Sequence, residues 1–133
     1  IGERKAATIY QRVFKKPFHV YEYRELQPFI GMKENFGLDY YPCVMPGWDN
    51  TPRTGLNGQI FINPLPEVFS DHLQKAIDRV KEYSDEHQIV IIKSWNEWAE
   101  GNHLEPDQRF GNGYLDAIKK VMENLSLSHN ARE

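Results

Sequence analysis

The chain has 133 residues, of which 40% are hydrophobic and 26% are charged, and its formal net charge is −3 at pH 7. This composition is typical of one globular domain or domain fragment and excludes a disordered chain. Phosphate binding needs clustered Lys and Arg, and the chain has no basic stripe, so we expect no nucleic-acid partner. No apolar run approaches the ~18 residues of a transmembrane helix. We expect a cytoplasmic protein, either free or peripheral to the inner membrane.

The first third of the chain predicts one helix and two strands. Residues 3–14 carry apolar side chains at helical spacing, and Pro17 ends that pattern. Residues 18–23 (FHVYEY) predict a short strand. Residues 38–45 (LDYYPCVM) predict a second, apolar and aromatic strand that contains the single cysteine, Cys43. A single cysteine excludes an internal disulfide, and its apolar surroundings favour a buried, inert thiol.

The middle of the chain predicts a long loop, a short strand and the strongest helix. Residues 46–58 are dense in turn formers and predict a loop, and unstructured loops of this length are often functional. Residues 59–62 (QIFI) predict a short strand. Residues 66–87 predict a helix whose apolar side chains form one stripe, made of Val68, Phe69, Leu73, Ala76, Ile77, Val80 and Tyr83.

The last third predicts a buried strand and a closing helix. The run QIVIIK, residues 88–93, is the most apolar in the chain and predicts a fully buried strand. A helix is predicted over residues 113–125, followed by a frayed tail. Its inward-facing residues are expected to be Tyr114, Leu115, Ile118, Val121, Met122 and Leu125.

Strands and helices alternate along the chain, which predicts an α/β fold with parallel strands. The strands at residues 18–23, 38–45 and 89–94 are expected to be parallel neighbours. The helix that begins near Pro66 should cross over between the last two.

Aromatic and acidic residues concentrate where two of these strands end. Residues 93–107 (KSWNEWAEGNHLEPD) hold two tryptophans and four acidic residues directly after the apolar run. The segment PGWDN, residues 46–50, follows the preceding strand in the same way. Functional sites of α/β folds lie at the carboxyl ends of the strands, so we expect both segments on one rim.

Glu97 and Glu100 are three residues apart, so a helical turn or a tight loop would bring their carboxylates together. Glycoside chemistry requires such a pair, because one acid protonates the leaving oxygen while the other acts as base or nucleophile. We expect the two carboxylates within several ångströms of each other. Burial and like charge should raise the pKa of at least one. The alternative is a polar loop whose acidic residues cap a helix or face solvent.

The side chains around this pair suit a saccharide. Trp48, Trp95 and Trp98 offer flat apolar faces for sugar rings, and Asn96 is placed to orient a hydroxyl or a carboxylate. Arg53 is placed to pair with a rim carboxylate or to hold a substrate phosphate. The predicted substrate-binding residues are Trp48, Asp49, Asn50, Arg53, Trp95, Asn96, Trp98 and His103.

Two other functions stay open. One is a non-catalytic saccharide-binding or scaffold domain that uses the tryptophans as a platform. The other is a metal-dependent hydrolase built on Asp49, Glu97, Glu100 and His103, although their spacing matches no fixed ligand set. We predict no metal and no cofactor, since the chain has neither a Walker loop nor a dinucleotide fingerprint.

Three motifs resemble a known family: residues 46–53 (PGWDNTPR), residues 66–69 (PEVF) with Leu73, and residues 93–118 (KSWNEWAEGNHLEPDQRFGNGYLDAI). They resemble the WbsX-type lipopolysaccharide-biosynthesis proteins, described as glycosyltransferases and similar in turn to the endo-α-mannosidases of glycoside hydrolase family 99. The resemblance covers about residues 38–121. It implies a (β/α)8 TIM-type barrel, of which this chain is the carboxyl-terminal portion of about three βα units. It also implies action on glycosidic bonds of a bacterial lipopolysaccharide or surface polysaccharide.

The resemblance assigns roles to the two acids by position. In the mannosidases, the motif that aligns with NEWAE carries both catalytic residues. Glu97 would then act as base on the sugar's 2-hydroxyl, through an anhydro-sugar route, and Glu100 as the acid/base on the leaving oxygen. Ala99 stands where those hydrolases have histidine, and Asn102 and His103 replace other polar residues. The resemblance therefore fixes neither the sugar nor hydrolysis. Because three barrel strands would leave open edges, we also expect the isolated chain to self-associate.

Overall fold

The computed structural model describes residues 19–30 and 40–130, with side chains as far as residue 127. The helix predicted at residues 3–14 lies outside these residues. The regular elements in chain order are β1 His19–Glu22, α1 Tyr23–Leu26, β2 Cys43–Val44, α2 Thr51–Thr54, β3 Gln59–Ile62, α3 Pro66–Val80, β4 Ile91–Ile92, β5 Asn96–Glu97, β6 Asn102–His103 and α4 Gly113–Asn130. Within the described residues, no helix is long and apolar enough to cross a membrane.

The described strands form three two-stranded sheets. β1 pairs with β3 and β2 pairs with β4, both in parallel, while β5 and β6 form an antiparallel hairpin. The predicted parallel pairing of β2 with β4 across a helix is confirmed. The predicted pairing of β1 with the residue 38–45 strand is wrong within the described ranges, because β1 pairs with β3. β2 is only two residues long, since the prolines at positions 42 and 46 have no N–H to donate.

The prediction of a fully buried strand at residues 88–93 is wrong. Only Ile91–Ile92 forms ladder pairs, and Ile89 and Ile91 are 46% and 49% exposed. Val90 and Ile92 instead pack against the core. The run is uniformly apolar in sequence, but its side chains alternate between two faces, and helices cover only one of these faces in the described part of the chain.

The segment 46–58, predicted as a loop without regular structure, contains α2 and a following 3₁₀ turn, Gly55–Asn57. Proline at the second position of α2 favours a helical start. Asn50 then fixes the return to β3, because its Oδ1 accepts the Gln59 N–H at 2.7 Å. Side-chain hydrogen bonds that the composition did not reveal therefore order this segment.

The core lies between α3 and α4, as their apolar stripes predict. Phe69 is fully buried and meets Tyr114 edge to face, with ring centroids 5.6 Å apart. The predicted helix ends are wrong. α3 stops at Val80, with a separate 3₁₀ turn at Asp85–His87, and α4 runs on to Asn130. Met122, predicted to face inward, is 54% exposed.

A buried polar group that the apolar pattern does not show lies under β2. His72 of α3 is fully buried, and its Nδ1 is 2.9 Å from the Tyr23 hydroxyl. That hydroxyl donates to the Met45 carbonyl oxygen. The other ring nitrogen of His72 lies 3.4 Å from the Ile30 carbonyl oxygen. Burial lowers the pKa of His72, the Ile30 carbonyl opposes this, and the nearby Lys75 charge adds to the lowering.

This lowered pKa makes the fold sensitive to acid. Below pH 6.5 the unfolded chain takes up a proton at His72 that the folded chain resists, so the free energy of unfolding falls as pH decreases. Urea unfolding at a series of pH values should show this loss. His72→Gln should remove the part of the slope that comes from this residue. An unchanged slope in His72→Gln would contradict the assignment.

Candidate active site

The two motif segments meet at the carboxyl ends of β2 and β4, as predicted. After the cis peptide bond between Lys93 and Ser94, the chain enters the β5–β6 hairpin, whose tip is the 3₁₀ turn Trp98–Glu100. The carbonyl oxygen of Glu100 accepts the Asp49 N–H at 2.7 Å, which joins this turn to the PGWDN segment. This backbone hydrogen bond therefore holds the two segments next to each other at the ends of the strands.

Gly101 allows this close approach. Its φ is 56°, a left-handed conformation that glycine adopts most readily. A Cβ at this position would lie 3.1 Å from the Asp49 Cβ. The hairpin base is held by Ser94, whose N–H and Oγ donate to the Oδ1 and the carbonyl oxygen of Asn102, at 3.1 and 2.8 Å. Asn102 is fully buried, and sequence reasoning did not identify it as a structural residue.

The carboxylates of Glu97 and Glu100 lie side by side on one guanidinium group. Arg53 of α2 donates from Nη2 to Glu97 Oε1 at 3.1 Å and from Nη1 to Glu100 Oε1 at 2.9 Å. The structure thus brings together the two predicted catalytic residues and one predicted binding residue. The expected proximity of the two acids is confirmed.

Lys93 completes the cluster, and sequence reasoning missed it. Its Nζ donates to Glu100 Oε2 at 2.8 Å and lies over the Trp48 ring, 4.7 Å from the centroid. The available signal was a cation at the last position of the apolar run, at the predicted carboxyl end of a strand. We call these four charged side chains, Arg53, Lys93, Glu97 and Glu100, the rim cluster.

The prediction of a raised pKa is wrong for Glu100. The hydrogen bond from Lys93 lowers the pKa of Glu100, burial opposes this, and the charges of Lys93 and Arg53 lower the pKa further. Sequence reasoning counted the like charge of Glu97 but not the two cations that offset it.

Asp49 and Asn50 are engaged in the structure of their own loop. Asp49 Oδ1 accepts the N–H and the hydroxyl of Thr51, at 3.0 and 2.6 Å, at the start of α2. Asn50 Oδ1 is occupied by the Gln59 N–H. These contacts orient α2 and, through it, Arg53, so the role of both residues as substrate ligands stays a prediction.

Two tryptophans at the rim are open to solvent. Trp95 is 53% exposed and Trp98 is 49% exposed. Trp98 stacks on His103 at a centroid distance of 3.7 Å and donates from Nε1 to Glu105 at 2.6 Å. Trp98 is therefore held in one orientation, while Asn96, which pairs with His103 across the hairpin, is exposed. Trp48 instead supports Lys93, and its buried indole N–H has no hydrogen-bond partner among the described residues.

His103 is oriented away from the rim cluster toward Asp107. Its Nε2 lies 3.0 Å from Asp107 Oδ2, and the other carboxylate oxygen accepts the N–H groups of Arg109 and Phe110. Burial would raise the pKa of Asp107, but the donors from Phe110, His103 and Arg109 together lower it. A cavity of about 640 Å³ lies beside this pair. A second cavity, of about 650 Å³, is lined by α3, β4 and α4 and includes no residue of the rim cluster.

The metal-dependent alternative finds no support at these positions. Asp49 contacts Thr51, Glu97 and Glu100 share Arg53, Glu100 also contacts Lys93, and His103 contacts Asp107. Across residues 19–30 and 40–130, no group of three His, Cys, Asp or Glu side chains is arranged to hold a metal ion. Arg53 bridges the two acids, and Lys93 adds a second positive charge beside Glu100. These cations supply the positive charge that a metal would otherwise provide.

The sequence profile of the family described as Glycosyltransferase WbsX matches residues 2–118, which include the whole rim cluster. The chain belongs to the WbsX glycosyltransferase family. This confirms the family that the motifs resemble.

Two curated relatives of this WbsX-family chain are described as "Uncharacterized protein WxcX", from strains B100 and ATCC 33913 of Xanthomonas campestris pv. campestris. Each is 36% identical over 120 residues, which cover 88% of this chain and 17% of the relative. The chain thus spans about a sixth of the length of these relatives. No solved structure matches the chain.

The structural role of Asp49 in this WbsX-family chain can be separated from a catalytic one. Asp49→Ala should lower the free energy of unfolding by about 1 kcal/mol, because the N–H and the hydroxyl of Thr51 lose their side-chain acceptor. Asp49→Asn, which keeps an acceptor oxygen in place, should lose much less. Urea unfolding of both variants measures this difference. Equal stability of Asp49→Ala and the wild type would show that the Thr51 contacts contribute nothing.

Proposed function

We propose that this WbsX-family chain supplies the catalytic rim of an enzyme that makes or breaks glycosidic bonds in a bacterial lipopolysaccharide or surface polysaccharide. The observation that carries the proposal is the pair of carboxylates, Glu97 and Glu100, held by one guanidinium where β2 and β4 end. Glycosyl chemistry uses such a pair. The exposed indoles of Trp95 and Trp98 beside it offer faces on which sugar rings can stack.

The charge of the rim cluster favours a neutral saccharide as the group bound there. Its two cations are opposed by its two carboxylates, so their formal charges sum to zero. Arg53 uses both terminal nitrogens on glutamate, which leaves it poorly placed to hold a phosphate as well. We therefore propose that the reacting sugar lies at the glutamates, and that the phosphate of any activated donor is bound elsewhere in the full-length protein.

We propose that the chain is the carboxyl-terminal portion of a (β/α)8 barrel, which would give the rim its floor. Two features support this proposal. β2 and β4 are parallel and joined through α3, and the rim cluster follows their carboxyl ends. We further propose that the full-length protein acts in the cytoplasm or at the periphery of the inner membrane.

A non-catalytic saccharide-binding domain is the second candidate. The exposed tryptophans fit it as well as they fit an enzyme, because aromatic stacking platforms serve binding and catalysis equally. The two functions differ in whether the carboxylates are needed for turnover or only for binding.

Substitution of the two acids tests the enzyme proposal. In the full-length protein, Glu97→Gln and Glu100→Gln should each lower turnover by about 10²–10⁴-fold, because each removes a group required in the transition state. Circular dichroism should show an unchanged fold. Glu86→Gln, an exposed control in the 3₁₀ turn Asp85–His87, should keep full activity. Full activity in both rim variants would overturn the catalytic assignment of the two glutamates. Sugar binding by a wild-type protein that shows no turnover would favour the binding domain.

The exposed apolar face of β4 supports the expected self-association of the isolated chain. Ile89 and Ile91 present a bare apolar surface beside a strand pair of only two residues each. We propose that a second copy covers this surface when the rest of the protein is absent.

Light scattering tests this proposal directly. The isolated chain should scatter above its 15.6 kDa monomer mass, and the double variant Ile89→Lys and Ile91→Lys should bring the mass down. Glu82→Lys, which adds the same side chain in the exposed turn after α3, should not. A clean monomer of the wild-type chain at high concentration would contradict self-association.

A further inference from the structure

The two rim carboxylates differ in how many cations contact them. Both oxygens of Glu100 accept from a cation, Oε1 from Arg53 at 2.9 Å and Oε2 from Lys93 at 2.8 Å. Glu97 shares Arg53 through Oε1 at 3.1 Å, and no second cation contacts it among the residues that the structure describes. The Glu100 side chain is 14% exposed and that of Glu97 is 39% exposed. Glu100 is thus the enclosed acid, and Glu97 is the one that faces solvent.

Lys93 is held firmly enough to maintain this difference. Its N–H donates to the Val44 carbonyl oxygen at 2.9 Å, so its backbone is part of the β2–β4 pair. Its ammonium group lies between Glu100 and the Trp48 ring, where a cation is attracted to both. Glu100 is equally fixed, because its carbonyl oxygen accepts the Asp49 N–H.

These contacts disfavour a proton on Glu100 and leave one oxygen of Glu97 free to carry one. A proton on either oxygen of Glu100 would displace a charge-assisted hydrogen bond from Lys93 or Arg53. Glu97 has a second oxygen that neither cation contacts, so it can carry a proton while Oε1 keeps its contact with Arg53. That second oxygen, on a side chain that is 39% exposed, is the one left free for a bound sugar.

We infer that Lys93 and Arg53 hold Glu100 as the permanent anion of the site, and that Glu97 is the residue that exchanges a proton with the substrate. This inference rests on the proposed function. It reverses the roles implied by the family resemblance, in which Glu97 is the base and Glu100 the acid. Lys93 acts through Glu100 and is a positioning residue.

The reaction balances with these two groups alone. Protonated Glu97 gives its proton to the glycosidic oxygen as the bond from that oxygen to the anomeric carbon breaks, and the bonding electrons leave with the oxygen. The Glu100 carboxylate stabilises the positive charge that develops on the sugar. An acceptor hydroxyl then forms the new bond to the anomeric carbon, and its proton returns to Glu97.

Leaving-group dependence tests which glutamate is the acid. Dinitrophenyl glycosides leave without needing a proton, whereas methyl glycosides need one. In the full-length protein, Glu97→Gln should lose about 10²–10⁴-fold on methyl glycosides, yet release dinitrophenol in its first turnover within about tenfold of the wild type. Glu100→Gln should lose activity on both. The opposite pattern, with the dinitrophenyl substrate spared by Glu100→Gln, would overturn the assignment.

Infrared difference spectroscopy tests the role of Lys93 without any turnover. The protonated-carboxyl band of Glu100 is the one missing in Glu100→Gln. In Lys93→Met and in Lys93→Gln, which keeps a neutral donor, this band should appear at higher pH than in the wild type. Lys93→Arg should restore the wild-type behaviour. Lys81→Met, which changes a lysine paired with Asp78, should leave the band unmoved. An unmoved band in a folded Lys93→Gln variant would overturn the positioning role.

The two experiments distinguish failure of the proposed enzyme function from failure of the roles assigned to the two glutamates. A wild-type protein that turns over neither kind of glycoside overturns the proposed enzyme and, with it, the role of Glu97 as proton donor. The infrared shift then still decides whether Lys93 and Arg53 hold Glu100 as an anion. Turnover by the wild type with the reversed leaving-group pattern overturns the assignment alone.

Discussion

Arg53 connects two parts of the chain that are far apart in sequence. Its guanidinium contacts Glu97 and Glu100, which lie 44 and 47 residues further along the chain. Two carboxylates placed this close would repel each other without a cation between them. The guanidinium suits this position because it is planar, always charged and offers parallel donors to both acids. The neighbouring backbone and side-chain contacts of the rim hold this guanidinium and the two carboxylates in place.

The supports of Arg53 lie on both sides of it. Asp49 starts α2, on which Arg53 sits, and the same residue's N–H holds the turn that carries Glu100. Gly101 leaves room for that approach. A single short segment, residues 48–50, therefore orients the cation and one of the anions together. The aspartate, asparagine and arginine of this motif therefore each have a structural partner in the rim or in its supporting loop.

Sequence patterns predicted the elements that depend on local chemistry. The strand at residues 59–62, the start of α3 at Pro66 and the meeting of the two motif segments follow from alternation, proline placement and strand-end position. Patterns failed where the outcome depends on a distant partner. The burial of His72 depends on a hydrogen bond with the hydroxyl of Tyr23, which is 49 residues away in sequence. Hydropathy alone ranks a histidine as a surface residue.

The predictions of a buried Ile91 and of a raised pKa for Glu100 failed for the same reason. Whether an apolar strand is covered depends on which chain segments lie against both of its faces. Whether a carboxylate is easily protonated depends on which cations surround it, and Lys93 entered the sequence reasoning only as the end of a strand. The spacing of the two glutamates identified them as the candidate acids. The cations that distinguish their roles are brought to them by tertiary contacts.

The Tyr23 hydroxyl bond to the Met45 carbonyl oxygen extends the site beyond its sequence motifs. Met45 lies three residues before Trp48, so the first residue of α1 anchors the start of the segment that carries the rim. Tyr23 belongs to none of the three motifs that mark the family. A domain boundary drawn at the first motif, residue 46, would keep every charged residue of the rim and remove the anchor beneath it. The part of this chain that supports the site is therefore defined by hydrogen bonding, and it includes Tyr23.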